Sequence, residues 1–344
     1  MANRPSLSAS GCAVVITLLA SSFTTVLTRD APTSTDTVPG FNHSAYHDLQ
    51  TIYSYMNSLP SESDLASVYS AATTYEGNDI LVLRVSAVGD DSLPVVWIDC
   101  GMHGIEWIGP ATCMWIIENL LNGYGADEQV TTLLNEFNFH IMPVVNPDGY
   151  DYTWTKDRLW IKNRVPDGDS LNCHGVNINR NFNISFGGYD SANRHCDDTY
   201  HGIEAFSEAE SQGVRDALSN LHAMSGIKAY ISIMAWGQKW MVPYGHIYEF
   251  PENMDEQLRV AEVGVKAIAE LYGTQYEFGN AAIMHGGTSG TSSDWAYEVL
   301  GVPYSFSLLI RDQGLFGFFL PSQFILPTAE ETWHGIAAAL LATI

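Results

Sequence analysis

The sequence predicts a single α/β domain, a mostly parallel or mixed sheet with helices on both faces. Three observations carry this. Apolar runs of strand length alternate with longer segments of helical period. Hydrophobic residues make up 46% of the chain and charged residues 16%, which suits a packed core. No internal repeat and no linker interrupts the chain after residue 41, and 344 residues are ample for one large core.

Taken in order, residues 1–22 read as a secretory signal. Arg4 supplies the positive start, Cys12 to Ala20 the apolar stretch, and Ala20-Ser21-Ser22 the small residues of a cleavage site. Residues 23–41, rich in Thr, Pro and Asp, read as a flexible leader. A polar helix is expected over Tyr46 to Leu59, then strands at Ile80 to Ser86 and Val95 to Ile98. Ile105 to Leu121 has helical spacing, and Asn138 to Val145 reads as a strand closed by the turn signal Asn146-Pro-Asp-Gly149. Tyr150 to Ser207 shows little periodicity and reads as a long functional loop region. Helices are expected at Glu208 to Leu221, Met254 to Tyr272 and Pro327 to Ile344, and strands at Ile227 to Met234 and Tyr304 to Ile310. A Gly/Ser/Thr loop covers Gly286 to Ser293.

The formal net charge is −24, a field that repels nucleic acid and anionic membrane and excludes both as partners. Beyond Cys12, four cysteines remain: Cys100, Cys113, Cys173 and Cys196. In an oxidising compartment an even number suggests two disulfides, with three possible connectivities. Asn42-His-Ser44 and Asn183-Ile-Ser185 are sequons for N-linked glycan. Together these features place the mature protein outside the cell.

Chemistry concentrates after the strand at Val95 to Ile98. His103 and Glu106 stand three apart on the turn that opens a helix, and an imidazole and a carboxylate so spaced can reach one zinc ion. The same His-x-x-Glu pattern recurs at His201/Glu204 and His246/Glu249, but only the first lies in a strand-turn-helix setting.

Further landmarks follow: Arg158-Leu-Trp160, Asn179-Arg180-Asn181, Tyr200-His-Gly202, Pro243-Tyr-Gly245, Asp294-Trp295, Arg311-Asp312 and Glu331-Thr-Trp333. In this order and spacing the chain resembles the zinc carboxypeptidases of the pancreatic A/B type, from about residue 42 to the end. The resemblance implies one domain over 42–344 and a mixed eight-stranded sheet with helices on both faces; the pro-domain that members of this subfamily often carry is not expected, because the mature-like region follows the leader directly. It also implies the pairings Cys173–Cys196 and Cys100–Cys113. The implied activity is hydrolysis of C-terminal amino acids from peptides, with zinc as cofactor.

Carried over residue by residue, the resemblance makes His103 and Glu106 the first two zinc ligands. The third falls on Met234, a thioether that suits a soft metal better than zinc beside a carboxylate. The general base falls on Leu309 and the oxyanion-stabilising arginine on Ile161; a further family arginine falls on Ile105. Asn179 and Arg180 match the clamp on the substrate's terminal carboxylate, although an internal salt bridge would also occupy Arg180. The mobile tyrosine falls nearest His285, which would hydrogen-bond substrate, lend a nitrogen to a metal, or simply be a solvated loop histidine. The residue that helps set side-chain preference is Ser293.

Two functional expectations follow. One is a secreted carboxypeptidase-like protein without catalysis, with weak or absent zinc binding, acting as a binding module for peptide or protein C-termini. The other is a working zinc carboxypeptidase that uses substitute groups such as His285.

Overall fold

In a computed structural model, which describes residues 40–87, 91–166 and 173–344, eight strands form one sheet. The expected signal peptide at 1–22 lies outside the described residues, as does the leader up to residue 39. The strands are β1 (Ala66–Thr73), β2 (Asp79–Val85), β3 (Val95–Cys100), β4 (Asn138–Met142), β5 (Ile227–Ala235), β6 (Lys239–Val242), β7 (Glu277–Asn280) and β8 (Tyr304–Ile310). Their spatial order is β1-β2-β4-β3-β5-β8-β6-β7. The centre, β4-β3-β5-β8, is parallel; β1–β2, β2–β4 and β6–β8 are antiparallel. The sheet is therefore mixed, as expected.

Helices cover both faces. On one side lie α1 (Leu49–Glu62), α2 (Ile108–Gly123), α3 (Glu128–Glu136), α6 (Met254–Tyr272) and α9 (Ile325–Leu341). On the other lie α5 (Ala209–Ser225) and α8 (Ser292–Glu298). Strand alternation divides the core between them: Val96 and Ile98 of β3 join the first layer, Val95 and Trp97 the second. Both faces of β3 are buried, which is why it reads as a continuous apolar run. Each such side chain contributes roughly 1.5–3 kcal/mol by leaving water.

Three corrections to the expected elements matter for the site. Asn146-Pro-Asp-Gly149 is not a free turn but the start of α4 (Pro147–Thr155). Asn146 caps it, accepting from Gly149 N–H at 2.9 Å, and its own Nδ2 donates to the Met102 carbonyl at 3.3 Å. The helix expected from Ile105 starts at Ile108, so Glu106 sits in the loop before it. The strands β1, β6 and β7 and the helices α3, α7 (Ala281–His285) and α8 were not expected from the sequence. β1 and β7 are edge strands with small or exposed side chains, and β6 is only four residues long.

Both cystine bridges match the pairings implied by the resemblance. Cys100 at the end of β3 is bonded to Cys113 in α2, and Cys173 to Cys196 in the long loop region.

Candidate functional site

The parallel strands β3, β5 and β8 all point their carboxyl ends at one edge of the sheet, the edge where open α/β folds bind ligands. A cavity of about 750 Å³ opens there. It gathers the positions to which the resemblance assigns a role in catalysis or binding: His103, Ile105, Glu106, Ile161, Asn179, Arg180, Met234, His285, Ser293 and Leu309 all line it.

The loop after β3 is held tightly. A Cβ on Gly104 would lie 2.5 Å from the Gly149 carbonyl oxygen, so the loop can lie against α4 only with glycine there. Arg158 clamps the far side, donating to the Ile105 and Phe318 carbonyls, each at 2.7 Å, with its guanidinium 3.8 Å above the Trp107 ring. His103 Nδ1 thereby sits 3.0 Å from Glu106 Oε1, and His103 Nε2 3.1 Å from Asn177 Oδ1. Glu106 Oε2 is buried and has no hydrogen-bond partner among the described residues.

Opposite this pair the cavity is apolar. Met234, Met241 and Leu309 form one small cluster with Ala281 and Met284 packed on it. Met234 and Leu309 are register partners on β5 and β8. Met234 Sδ is an acceptor, taking a hydrogen bond from Asn179 Nδ2 at 3.4 Å.

These donors do not fit a zinc site. Zinc needs three nitrogen, sulfur-anion or oxygen ligands from the protein. His103 and Glu106 stand side by side and supply two donors, but the expected third position is a neutral thioether already engaged by Asn179. Among the described residues no group of three or more His, Cys, Asp or Glu is placed to hold a metal ion.

Asn179 and Arg180 lie in a 3-10 turn, Ile178–Arg180, and both are committed internally. Asn179 Oδ1 accepts from Ser292 N–H at 3.0 Å and Ser292 Oγ–H at 3.2 Å. Arg180 Nη2 donates to Asp190 Oδ2 at 2.6 Å, Nε to the Asp190 carbonyl at 2.7 Å, and Nη1 to the Asn179 carbonyl at 3.0 Å. Burial lowers the guanidinium's affinity for its proton, and Asp190 opposes that shift.

His285 ends the short helix α7 rather than lying free in a loop. It is exposed to solvent, and partial desolvation by the surrounding protein, with Lys239 and Arg180 nearby, pulls its imidazole below the ordinary value. Ser293 accepts from Ser305 Oγ–H through its carbonyl at 2.7 Å and lies 2.9 Å from Ser307 Oγ. Asp294 ties down the Pro243-Tyr-Gly245 loop, accepting from Gly245 N–H and His246 N–H. Arg164 stacks on Tyr152 and Trp160, at 3.7 and 4.4 Å, and Lys162 donates to the His195 carbonyl; neither lines the cavity.

Sequence reasoning missed Lys239, Trp236, Met241 and Glu277, which also line the cavity. A lysine opening the otherwise apolar run Lys239–Val242 was the available signal.

Comparison with known proteins agrees with this architecture. A family model described as zinc carboxypeptidase matches residues 52–335. Carboxypeptidase B of Bos taurus is 40% identical over 298 residues, covering 86% of this chain and 70% of its own. Carboxypeptidase A2 of Mus musculus is 38% identical over 297 residues, with the same coverage of 86% and 70%. The structure of bovine thrombin-activatable fibrinolysis inhibitor in complex with tick carboxypeptidase inhibitor superposes with a TM-score of 0.81 at 35% identity, covering 88% of this chain and 98% of that one. With its fold, its landmark residues and these relatives in agreement, this chain belongs to the zinc carboxypeptidase family.

Proposed function

We propose that this protein is a secreted, non-hydrolytic member of its family that holds the C-terminal end of a peptide in the cavity. The observation that carries the reading is the apolar wall of Met234, Leu309 and Ile161. Peptide hydrolysis at such a site needs a third metal ligand, a proton acceptor and a cation for the oxyanion, and none of these three side chains can serve. Loss of a positioned base alone costs roughly 10²–10⁴ in rate, and loss of an oxyanion donor roughly 10²–10³. Two disulfides and an apolar N-terminal stretch support the extracellular assignment. Asn42 and Asn183 are both exposed, as glycan attachment requires.

A working zinc carboxypeptidase is the second reading. It is favoured by the side-by-side placement of His103 and Glu106, by the unpartnered Glu106 Oε2, and by His285 on the same cavity. Metal analysis of purified protein, with mass spectrometry of peptides incubated with and without chelator, separates the two. Stoichiometric zinc with chelator-sensitive trimming would establish the second reading. The combined substitution Met234→His, Leu309→Glu and Ile161→Arg is expected to raise hydrolysis from background.

A further inference from the structure

The register of the sheet lays four side chains in one row beneath the cavity. Met234 on β5 pairs with Leu309 on β8, Leu309 with Lys239 on β6, and Lys239 with Glu277 on β7. All four line the cavity. The two-residue period of β6 explains why a lysine faces this way. Lys239 and Met241 share the cavity side, while Trp240 and Val242 enter the core beneath.

The state of the two cavity cations differs. Three donor groups of Arg180 are held by Asp190 and Asn179, and Asp190 already supplies its carboxylate. Lys239 Nζ donates to the Met284 carbonyl at 2.8 Å and forms no ion pair among the described residues. An ammonium has three donors, so two are left over. Met284 is followed directly by His285, which brings a second nitrogen-bearing side chain to the same end of the cavity. An acid at position 309 would face Lys239 across the β6–β8 pair and consume its charge; Leu309 leaves it unspent. Glu277, the neighbour on β7, is exposed.

We propose that Lys239, with His285 beside it, is the anion subsite of this cavity. The ligand it fits is a small carboxylate, such as a peptide end, whose apolar body rests on Met234, Met241 and Leu309. Carboxylate recognition thus passes from Arg180, neutralised by Asp190, to Lys239. This rests on the reading of the cavity as a peptide-end site that does not hydrolyse its ligand.

The test is calorimetric titration of the full chain with N-acetyl-Gly-Phe and with its C-terminal amide, followed by mass spectrometry for free phenylalanine. Wild type is expected to favour the acid by about tenfold or more, the scale of a hydrogen bond to a charged group. Lys239→Met should abolish that preference and leave amide affinity unchanged. Lys239→Arg should restore it, and Glu277→Gln should strengthen it. Added salt should weaken binding of the acid to wild type and spare the amide, a readout that needs no variant to fold. Equal binding of acid and amide, binding of neither, or a preference retained by Lys239→Met would overturn the subsite. Release of phenylalanine would instead overturn the non-hydrolytic reading, and the Lys239 dependence would then be read in the KM of that release.

Discussion

Asn179 donates its side-chain N–H to Met234 Sδ at 3.4 Å, joining the expected carboxylate clamp to the expected metal position by a direct bond. Both residues are buried. Met234→Leu keeps the volume but deprives Asn179 Nδ2 of its acceptor. The expected cost is about 1 kcal/mol, read as a fall in Tm of about 2 °C. An unchanged Tm would show that the thioether is only packing.

Arg311 and Glu331 form a fork-to-fork pair that anchors the end of β8 to α9. Arg311 Nε donates to Glu331 Oε1 at 2.6 Å, Nη2 donates to Glu331 Oε2, and Nη2 also reaches Thr274 Oγ1 at 2.7 Å. The Glu331 side chain is 0% exposed and that of Arg311 15%. Arg311→Met strands a buried carboxylate and is expected to cost about 3–5 kcal/mol in urea unfolding. Arg311→Met combined with Glu331→Leu should cost markedly less, because no charge is then left unpaired.

Stability should fall with rising pH between about 6.5 and 8 through Glu210. Its side chain is buried; Oε2 accepts from Asn163 Nδ2 at 3.1 Å while Oε1 has no partner among the described residues. Burial pushes its carboxyl up to about 8, partly offset by the Asn163 hydrogen bond. The folded state therefore holds a proton that the unfolded chain releases near the ordinary value of 4.5. The contribution is complete below that value and lost as pH climbs through about 8. Thermal melts across this range should slope downward for wild type, and Glu210→Gln should flatten them. Below 6.5 His140 opposes this trend: burial lowers its imidazole to about 3, so acidification protonates the unfolded chain first.

The two disulfides should respond differently to reductant. Cys100 and Cys113 are fully buried beneath α2, whereas Cys196 is exposed. Mild reductant under native conditions is expected to open Cys173–Cys196 first, as read by thiol alkylation and mass spectrometry. Replacing Cys100 and Cys113 by alanine, which removes a bridge spanning 13 residues, should cost about 3 kcal/mol.

Much of the fold was legible in the chain. Where a strand is buried on both faces, as at Val95 to Ile98, or a helix carries one apolar stripe, local pattern and tertiary environment agree. The edge strands β1 and β7 were not legible, because a half-exposed edge imposes no apolar alternation. The start of α4 was misread because Asn-Pro-Asp-Gly suits a turn and a capped helix N-terminus equally well.

By itself the sequence determined the family, the alternation of strands and helices, and some of the side chains that reach the cavity: His103, Glu106, Met234 and Leu309 are landmarks of position along the chain. Only the tertiary structure decided what those side chains do to one another. Asp190 on Arg180, Met234 beneath Asn179, and Lys239 opposite Leu309 are contacts between segments that no local pattern couples. They follow from strand register and loop packing, which place chemically decisive neighbours together across long stretches of chain.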